Sequence, residues 1–288
     1  NAEERRSDTL DSFDSNGFTV GNDTSQSPNG LNTNASTNTY VSWAWKAGTT
    51  SGIAGSADIT PNAYSFNQTA GFSIVTYNGT DVNGNTVLHG LGAVPYFMIV
   101  KRRVSNGYDW IVYHKDDVAG LYLNTTSTNN DSSSTNIWFH GQTPTSTQFH
   151  IGTDGRIGDN VSTGAFVAYL WSEVQGYSKF GQYEGNNSAN GAFVYTGFRP
   201  AFVLIKDIDA TNNWGIVDNK RGSINEISAM LNPNSNGTEG ANNEVDFLSN
   251  GFKWRSNDGN SNASDTYIYM AFAESPFVNS NGVPTNAR

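Results

Sequence analysis

The sequence has no cysteine and few charged residues, and these two shortages exclude several classes of protein. Without cysteine the chain can form no disulfide and can offer no thiolate to a metal or cluster. Only 15% of its 288 residues are charged, and the formal net charge is −10 at pH 7. An acidic chain with no long basic run does not suit a phosphate backbone. We therefore expect no nucleic-acid partner.

Long apolar runs are missing as well, and helical patterns are scarce. No stretch approaches the length of a membrane span, so we expect no membrane insertion. Residues 223–230 carry the one capped pattern that favours a helical turn, with Ser223 as cap and Glu226 three positions on. Elsewhere, short aromatic and β-branched runs alternate with loops of Gly, Asn and Ser. This composition predicts an all-β protein of the sandwich or jelly-roll type.

One strand pattern occurs three times, at residues 40–47, 166–173 and 267–274. In each copy, alternate residues separate a large apolar face from a face that varies in size and polarity. We expect the variable face, which includes Tyr267 and Tyr269, to meet a loop, another domain or another subunit. The large apolar face is predicted to form the core in all three copies: Val41, Trp43, Trp45; Val167, Tyr169, Trp171; Ile268, Met270, Phe272.

Other landmarks recur in the same order along the chain. Pro95 and the strand after it return at Pro200, and Trp110 returns as Trp214. The hexapeptide FDSNGF, which begins at Phe13, returns as FLSNGF, and its Asn-Gly pair predicts a tight turn in both places. These ordered matches predict tandem β-sandwich or jelly-roll-like repeats of about 100 residues.

The repeats predict four segments. Residues 1–48 match the back half of a truncated repeat, and residues 49–71 form a linker that is able to add an edge strand. Residues 72–175 form one complete repeat, and residues 176–288 form a second with a polar C-terminal tail. Half a sandwich cannot bury its own core, so we expect the first segment to be completed by residues before Asn1 or by a neighbouring chain. We therefore interpret the sequence as a piece of something longer.

The residues whose types suit catalysis or metal binding have structural explanations. Glu173 and Glu274 end equivalent strands, so duplication explains them without a reaction. Lys101 and Lys206 follow apolar strands, where we expect each to guard an exposed sheet edge. The histidines show no metal-ligand spacing, and we expect them on the surface or in loops: His89, His114, His140 and His150.

Residues 258–264 place side-chain oxygens at alternate positions, as a calcium loop does. The positions that need Gly and Glu in such a loop hold Ala263 and Tyr269 instead. The chain also has no nucleophile elbow, no phosphate loop and no dinucleotide fingerprint. We therefore predict no metal, no cofactor and no enzymatic activity.

Trp138 is the candidate binding residue. Its segment aligns with the one around Asp246, and a strand face that carries a carboxylate in one repeat should face solvent in its sister. An exposed indole can stack on a sugar ring or be covered by a neighbouring subunit. An error in the repeat alignment would instead leave Trp138 in the core. The other tryptophans paired between copies, or adjacent to core residues, are expected in the core: Trp110, Trp214 and Trp254.

Five runs carry a resemblance to a known group of proteins. GFSIVTY at 71–77, HGLGAVPYFMIVK at 89–101 and DWIVYH at 109–114 resemble a repeated domain of marine bacteriophage structural proteins, often called tail fibre proteins. YVSWAWKAG at 40–48 resembles the strand that closes their earlier repeats, and the run at 271–288 resembles their usual C-terminus. The resemblance implies a component of the virion, exposed on the particle. It supplies no catalytic or binding residues.

Three functions fit this resemblance. The first is a tail fibre or appendage protein that contacts the host surface. The second is an architectural capsid-decoration or fibre protein without a receptor role, and the third is a tailspike-type polysaccharide depolymerase. Because fibres commonly bundle around a threefold axis, we expect a homo-oligomer, with a trimer favoured. The expected partners are other virion proteins and a host surface glycan.

Overall fold

The chain is an all-β protein, as predicted. The computed structural model describes residues 9–21, 34, 38–104, 107–128, 142–160, 165–222, 225–241 and 244–275, which contain strands, turns and loops but no helix. None of these residues therefore forms a helix able to span a membrane. The helical turn predicted at 223–230 is wrong in its described part, because Ile227 and Met230 make antiparallel bridges to Val245 and Gly240.

The strands are short and follow one another closely. In chain order they are β1 (Leu10–Asp14), β2 (Gly17–Val20), β3 (Ala63–Asn67), β4 (Phe72–Tyr77), β5 (Thr86–Leu88), β6 (Pro95–Arg102), β7 (Ile111–His114), β8 (Asp117–Tyr122), β9 (Gln148–His150), β10 (Phe166–Ser172), β11 (Ser178–Glu184), β12 (Phe193–Tyr195), β13 (Pro200–Asp207), β14 (Gly215–Asp218), β15 (Val245–Leu248), β16 (Gly251–Trp254) and β17 (Thr266–Ala273).

The chain divides into two compact units, Asn1–Trp45 and Lys46–Arg288. The first contains the antiparallel hairpin β1–β2, in which Asp14 lies opposite Gly17. The second contains the hairpin β15–β16 with the same register around its turn, because Leu248 lies opposite Gly251. The tight turns predicted from the two Asn-Gly pairs are therefore confirmed.

The first copy of the recurring strand pattern does not form a strand. Residues 40–47 keep the predicted alternation of exposure, since Val41, Trp43 and Trp45 are half-buried and the residues between them are exposed. They are not part of any sheet, however, and the predicted strand is wrong. A strand needs a partner ladder as well as an alternating pattern, and the pattern alone does not provide one.

The larger unit begins with a six-stranded antiparallel sheet in the order β3-β4-β10-β6-β7-β8. Its edge strand β3 lies inside the predicted linker segment, which therefore does add an edge strand. One face of this sheet packs against the two-stranded sheet β5–β9 around a buried cluster. We call this cluster the first core, and it contains Tyr77, Phe149 and Phe166.

The rest of the larger unit contains a second pair of facing sheets. A four-stranded sheet, β11-β17-β13-β14, packs against a three-stranded sheet, β12-β16-β15. We call the cluster between them the second core, and it contains Tyr183, Phe247, Phe252 and Trp254. Both pairs of facing sheets are sandwich-like, and none of the sheets formed by the described residues closes on itself.

Four strands of the six-stranded sheet have the same order and register as the four-stranded sheet. The order β4-β10-β6-β7 corresponds to β11-β17-β13-β14. Lys101 lies opposite Val167 in the first sheet, and Lys206 lies opposite Ile268 in the second. The central strands therefore pair with their neighbours in equivalent positions.

The central strands β10 and β17 are buried on both faces, which corrects the predicted core face. The variable face lies in the two cores, where Phe166 stacks on Tyr77 and Tyr267 stacks on Tyr183. The large apolar face is also buried, except for half-buried Tyr169, but it is directed toward the other large sheet. A central strand that is covered on both sides has two apolar faces, so the alternation of side-chain size along its sequence does not identify the face that lies in the core.

An aromatic layer joins the two sheets. Phe180 from β11 stacks on Phe97 from β6 with ring centroids 6.3 Å apart, and it contacts Phe272 from β17 at 6.2 Å. Phe97 also meets Trp171 from β10 at 5.8 Å. Each of these rings is buried. The larger unit thus stacks two sandwich-like cores on opposite sides of one shared aromatic layer.

Candidate functional site

Trp138 and His140 lie outside the described residues, so the prediction that Trp138 binds a glycan or a subunit stays a prediction. The prediction depended on the face that carries Asp246. That carboxylate lies on the outer face of the three-stranded sheet, opposite Lys253, and accepts a hydrogen bond from Arg255 Nε at 2.6 Å. The neighbouring side chain of Phe247 points into the second core.

His89 and His114 are buried, so a surface position is wrong for both; His89 does lie in a loop, directly after β5, whereas His114 is the last residue of β7. In each ring, Nδ1 accepts a backbone N–H at 3.1 Å, from Leu91 and Asp116 respectively. The neutral ring then carries its proton on Nε2 and donates it to a carbonyl oxygen. Because burial disfavours the charged form, the pKa of each histidine falls to about 4. Both act as uncharged structural groups.

His114 also ties the two large sheets together. Its Nε2–H donates to the carbonyl oxygen of Tyr269, on β17, at 3.2 Å. Trp214 Nε1–H makes a similar bond to the carbonyl oxygen of Tyr122, at the end of β8, at 2.9 Å. These two bonds lie beside the aromatic layer and help to fix the register of one sheet on the other.

Lys101 and Lys206 are buried, so the prediction that they guard exposed edges is wrong. Both side chains turn onto the loop that follows their own strand. Lys101 Nζ donates to the carbonyl oxygen of Tyr108 at 2.6 Å. Lys206 Nζ lies within hydrogen-bonding distance of four carbonyl oxygens, those of Thr126, Asp207, Ala210 and Asn212. The lysines therefore hold loops in place rather than shielding an edge.

Burial also changes the acidity of Lys206. It lowers the pKa of this ammonium to about 8, against the opposite influence of the Asp207 and Asp117 charges. A buried lysine with a lowered pKa is sometimes a nucleophile, but Lys206 has no exposed surface. Its amine is surrounded by carbonyl oxygens, which is an environment for a structural cation.

Glu173 and Glu274 are each engaged in a separate ion pair. Glu173 Oε1 accepts from Lys179 Nζ at 2.8 Å, and Glu274 Oε2 accepts from Arg199 Nε at 3.0 Å. The first pair joins the end of β10 to β11 of the other large sheet, and the second joins the end of β17 to the segment before β13 in its own sheet. This arrangement agrees with the structural explanation given for the two carboxylates.

The side chains with calcium-loop spacing satisfy one another. Asp258 Oδ1 accepts from both the backbone and the side-chain N–H of Asn260, at 2.8 Å each. The fully buried amide of Asn262 bonds to the loop at Asn186 and to the carbonyl oxygen of Ser256. Among the described residues, no group of three or more His, Asp or Glu side chains is placed to hold a metal ion.

Two aromatic predictions need correction. Trp214 and Trp254 are buried as expected, but Trp110 is only half-buried and lies beneath the Lys101 ammonium at 5.5 Å. Tyr267 and Tyr269 were expected to be available to another subunit, but both are buried in the second core. They pack there because β17 is covered on both faces. The expectation of an oligomer loses this support and needs another.

The hairpin β1–β2 is amphipathic, and its apolar face is exposed. Phe13 and Phe18 form a cross-strand pair, with 84% and 43% of each residue exposed. The opposite face is polar, and Asp14 there accepts hydrogen bonds from Ser12 and Thr19 at 2.9 and 2.8 Å. A hairpin with one polar face and one apolar face is built for packing against something on its apolar side.

The sister hairpin shows what this face can bury. Phe247 and Phe252 occupy the same positions in FLSNGF, and both are fully buried in the second core. Phe252 meets Tyr183 edge-on at 6.0 Å. The same motif thus has a filled apolar face in one unit and an exposed one in the other.

A second open surface lies at strand β12, the edge of the three-stranded sheet. Phe193 and Tyr195 are 47% and 63% exposed, whereas Val194 between them points into the second core. Sequence reasoning missed this strand. The sequence signal for it is the alternation of two aromatic residues with a valine. This run of three residues is too short to predict a strand unless its partner strand, β16, is known.

The described residues thus define an all-β protein of stacked sandwich-like sheets, with buried charges bonded internally and two open aromatic surfaces. Residues 1–276 match the family model described as Domain of unknown function (DUF7483), and the chain belongs to that family. No curated protein and no solved structure gives a significant match.

Proposed function

We propose that this chain is a structural protein of a bacteriophage particle, part of a tail fibre or appendage that contacts the host surface. The resemblance of its strand runs to marine phage structural proteins supports the virion assignment. The observation that carries an assembly role is the exposed apolar face of β1–β2, since the same motif is fully buried at Phe247 and Phe252. A face of this kind suits a subunit that is completed by other chains.

The partner proposed for this face is another copy of the chain, in a homo-oligomer for which a trimer is favoured. Phe13 and Phe18 supply aromatic side chains, a residue class enriched at interfaces, whereas the polar face with Asp14 points away from the contact. The net charge of −10 opposes association, so the contact has to be apolar at its centre. Other virion proteins would attach at further surfaces.

The larger unit is proposed to contain one sandwich module used twice. The equivalent sheet order and register support this reading, and so do matched hydrogen bonds. Tyr77 Oη donates to the carbonyl oxygen of Ile157 at 2.8 Å, and Tyr183 Oη donates to that of Ser261 at 2.7 Å. Modules of this kind are a common way to lengthen an appendage.

The oligomer is tested by measuring mass in solution. Light scattering of the full chain at micromolar concentration should give a multiple of 31.1 kDa, and Phe13→Ser with Phe18→Ser should reduce it to the monomer. Ser12→Ala, on the polar face of the same hairpin, is the matched control and should leave the mass unchanged. A monomeric parent protein would refute this assembly.

The virion assignment is tested on particles. Antibodies raised against the purified chain should label intact phage particles in electron micrographs. Label along tails or fibres supports the appendage role, and label over the capsid supports the architectural alternative. Particles that bind no antibody and whose digests contain no peptide of this chain would contradict the proposal.

Trp138 is the proposed contact with either a host glycan or a neighbouring subunit. Purified protein should bind host cells, and Trp138→Ala should reduce binding while the melting temperature and the oligomer mass stay unchanged. Loss of mass would instead place Trp138 at a subunit contact. Loss of thermal stability in a monomer would place it in a core.

A further inference from the structure

Strand β5 is covered by a segment of chain that has no counterpart over β12 among the described residues. The chain at Asp58–Ile59 lies parallel to β5, where Ile59 N–H donates to the carbonyl oxygen of Thr86 at 2.9 Å. Asp58 Oδ2 accepts from both the backbone N–H and the hydroxyl of Thr86, at 3.0 and 2.8 Å. The side chain of Ile59 enters the first core. This segment therefore closes the outer edge of the sheet.

The chain just before this segment covers the outer face of β5. A Cβ built on Gly55 would lie 3.0 Å from Leu88 Cδ2, so the backbone there passes directly over the leucine. As a result, Thr86 and Leu88 are buried although they point away from the first core. The cover is an extended piece of polypeptide that seals both the edge and the face.

Strand β12 is the counterpart of β5 in the second core. Val87 pairs with Phe149, and Val194 pairs with Phe252, so the two valines occupy matching positions. Phe193 and Tyr195 then match Thr86 and Leu88. They are 47% and 63% exposed where their counterparts are buried, and no described segment lies along their outer edge.

The open edge presents unpaired backbone groups. Bonds from Trp254 N–H to Ala192 and from Thr196 N–H to Asn250 fix which groups of β12 face β16. Successive residues of an antiparallel strand direct their backbone groups alternately toward and away from the partner strand. The N–H and C=O of Phe193 and Tyr195 therefore point away from β16. Neither residue makes another hydrogen bond to the described part of the chain. Two donors, two acceptors and two aromatic rings are thus available to one extended strand.

We propose that the C-terminal tail of the same chain supplies this strand, with residues 277–279 lying antiparallel to β12. The tail leaves β17 beside the start of β13, because Glu274 N–H donates to the carbonyl oxygen of Arg199 at 2.9 Å. Arg199 is only four residues after Tyr195, at most about 14 Å of chain. The remaining residues 276–288 can extend over about 40 Å, so the tail reaches all of β12.

The tail sequence fits this register. With Val278 opposite Val194, the valine side chain points into the second core, as Ile59 does in the first. Phe277 then lies opposite Tyr195 on the outer face, which forms an aromatic cross-strand pair. Pro276 falls opposite Thr196, whose N–H already bonds to Asn250, so no ladder bond is lost.

Hydrogen exchange of the Tyr195 amide tests the proposal. In the full chain this amide should exchange at least about tenfold more slowly than in a chain that ends at Ser275, because a ladder bond protects it. Val278→Asn should speed exchange to a similar degree, whereas Val283→Asn, in the same tail, should not. A peptide with the sequence of residues 275–282 should restore protection to the shortened chain.

Three outcomes would overturn the inference. Equal Tyr195 exchange in the full and shortened chains would mean that the tail does not cover β12. Protection that disappears on dilution of the full chain would assign the cover to a second copy. Fast exchange in the full chain would leave the edge open. Unchanged Phe252 and Trp254 amides would show in each case that the second core remains folded.

Discussion

Phe247 and Phe13 occupy the same place in the same motif, but only Phe247 is buried, and this contrast gives a sharp stability prediction. Phe247→Ala removes a ring with no exposed surface and leaves a cavity in the second core. The lost transfer free energy and the cavity together cost about 3–5 kcal/mol. Phe13 is 84% exposed, so Phe13→Ala should change the free energy of unfolding by less than about 0.5 kcal/mol in the monomer.

Urea unfolding followed by tryptophan fluorescence measures both effects. For Phe247→Ala the midpoint should fall by about 1–2 M, since the denaturant slope is about 2–3 kcal/mol per M for a unit of this size. The Phe13→Ala midpoint should match the parent when both are diluted to the monomer. If Phe13→Ala cost as much as Phe247→Ala at that dilution, its ring would be buried within the chain. The reasoning about an open hairpin face would then be wrong.

Three further predictions concern the larger unit. The pKa of His89 and of His114 is about 4 when folded and about 6.5 when unfolded. Both rings are therefore neutral in both states above about pH 6.5, and the free energy of unfolding does not depend on them there. It should decline as the pH falls toward 4, by up to about 3 kcal/mol per histidine, and His114→Gln should flatten the pH dependence of the urea midpoint. Phe180→Ala, in the aromatic layer, should cost about 3–5 kcal/mol by the same measurement. Tyr77→Phe and Tyr183→Phe should each cost about 1–2 kcal/mol, and unequal values would weaken the view that the two modules are equivalent.

Local chemistry was readable in the sequence. The hairpin turns followed from Asn-Gly flanked by aromatics, because turn conformation depends on a few adjacent residues. The all-β class followed from short aromatic and β-branched runs. The strand pattern at residues 40–47 had the same local features, yet it forms no strand, because sheet pairing depends on a partner elsewhere.

Long-range packing was not readable. Lys101 and Lys206 look like surface lysines in the sequence because their partners are backbone carbonyl oxygens. Every residue has such an oxygen, so the sequence does not show which of them lie near a lysine. The core face of β10 and β17 was misassigned because both faces of each strand are apolar. Which face lies in the core depends on the sheet that packs against it, and that sheet is formed by residues elsewhere in the chain. The open edge at Phe193 and Tyr195 became visible only by comparison with the covered edge of β5.

The aromatic layer decides how this chain can be cut into fragments. A break between β10 and β11 would separate the two sandwich-like cores, each with its own set of buried side chains. It would also expose Phe97 and Trp171 on one fragment and Phe180 and Phe272 on the other. Such fragments would expose large apolar surfaces and would aggregate, or would reassociate when mixed. Useful truncations should therefore keep β3 to β17 together.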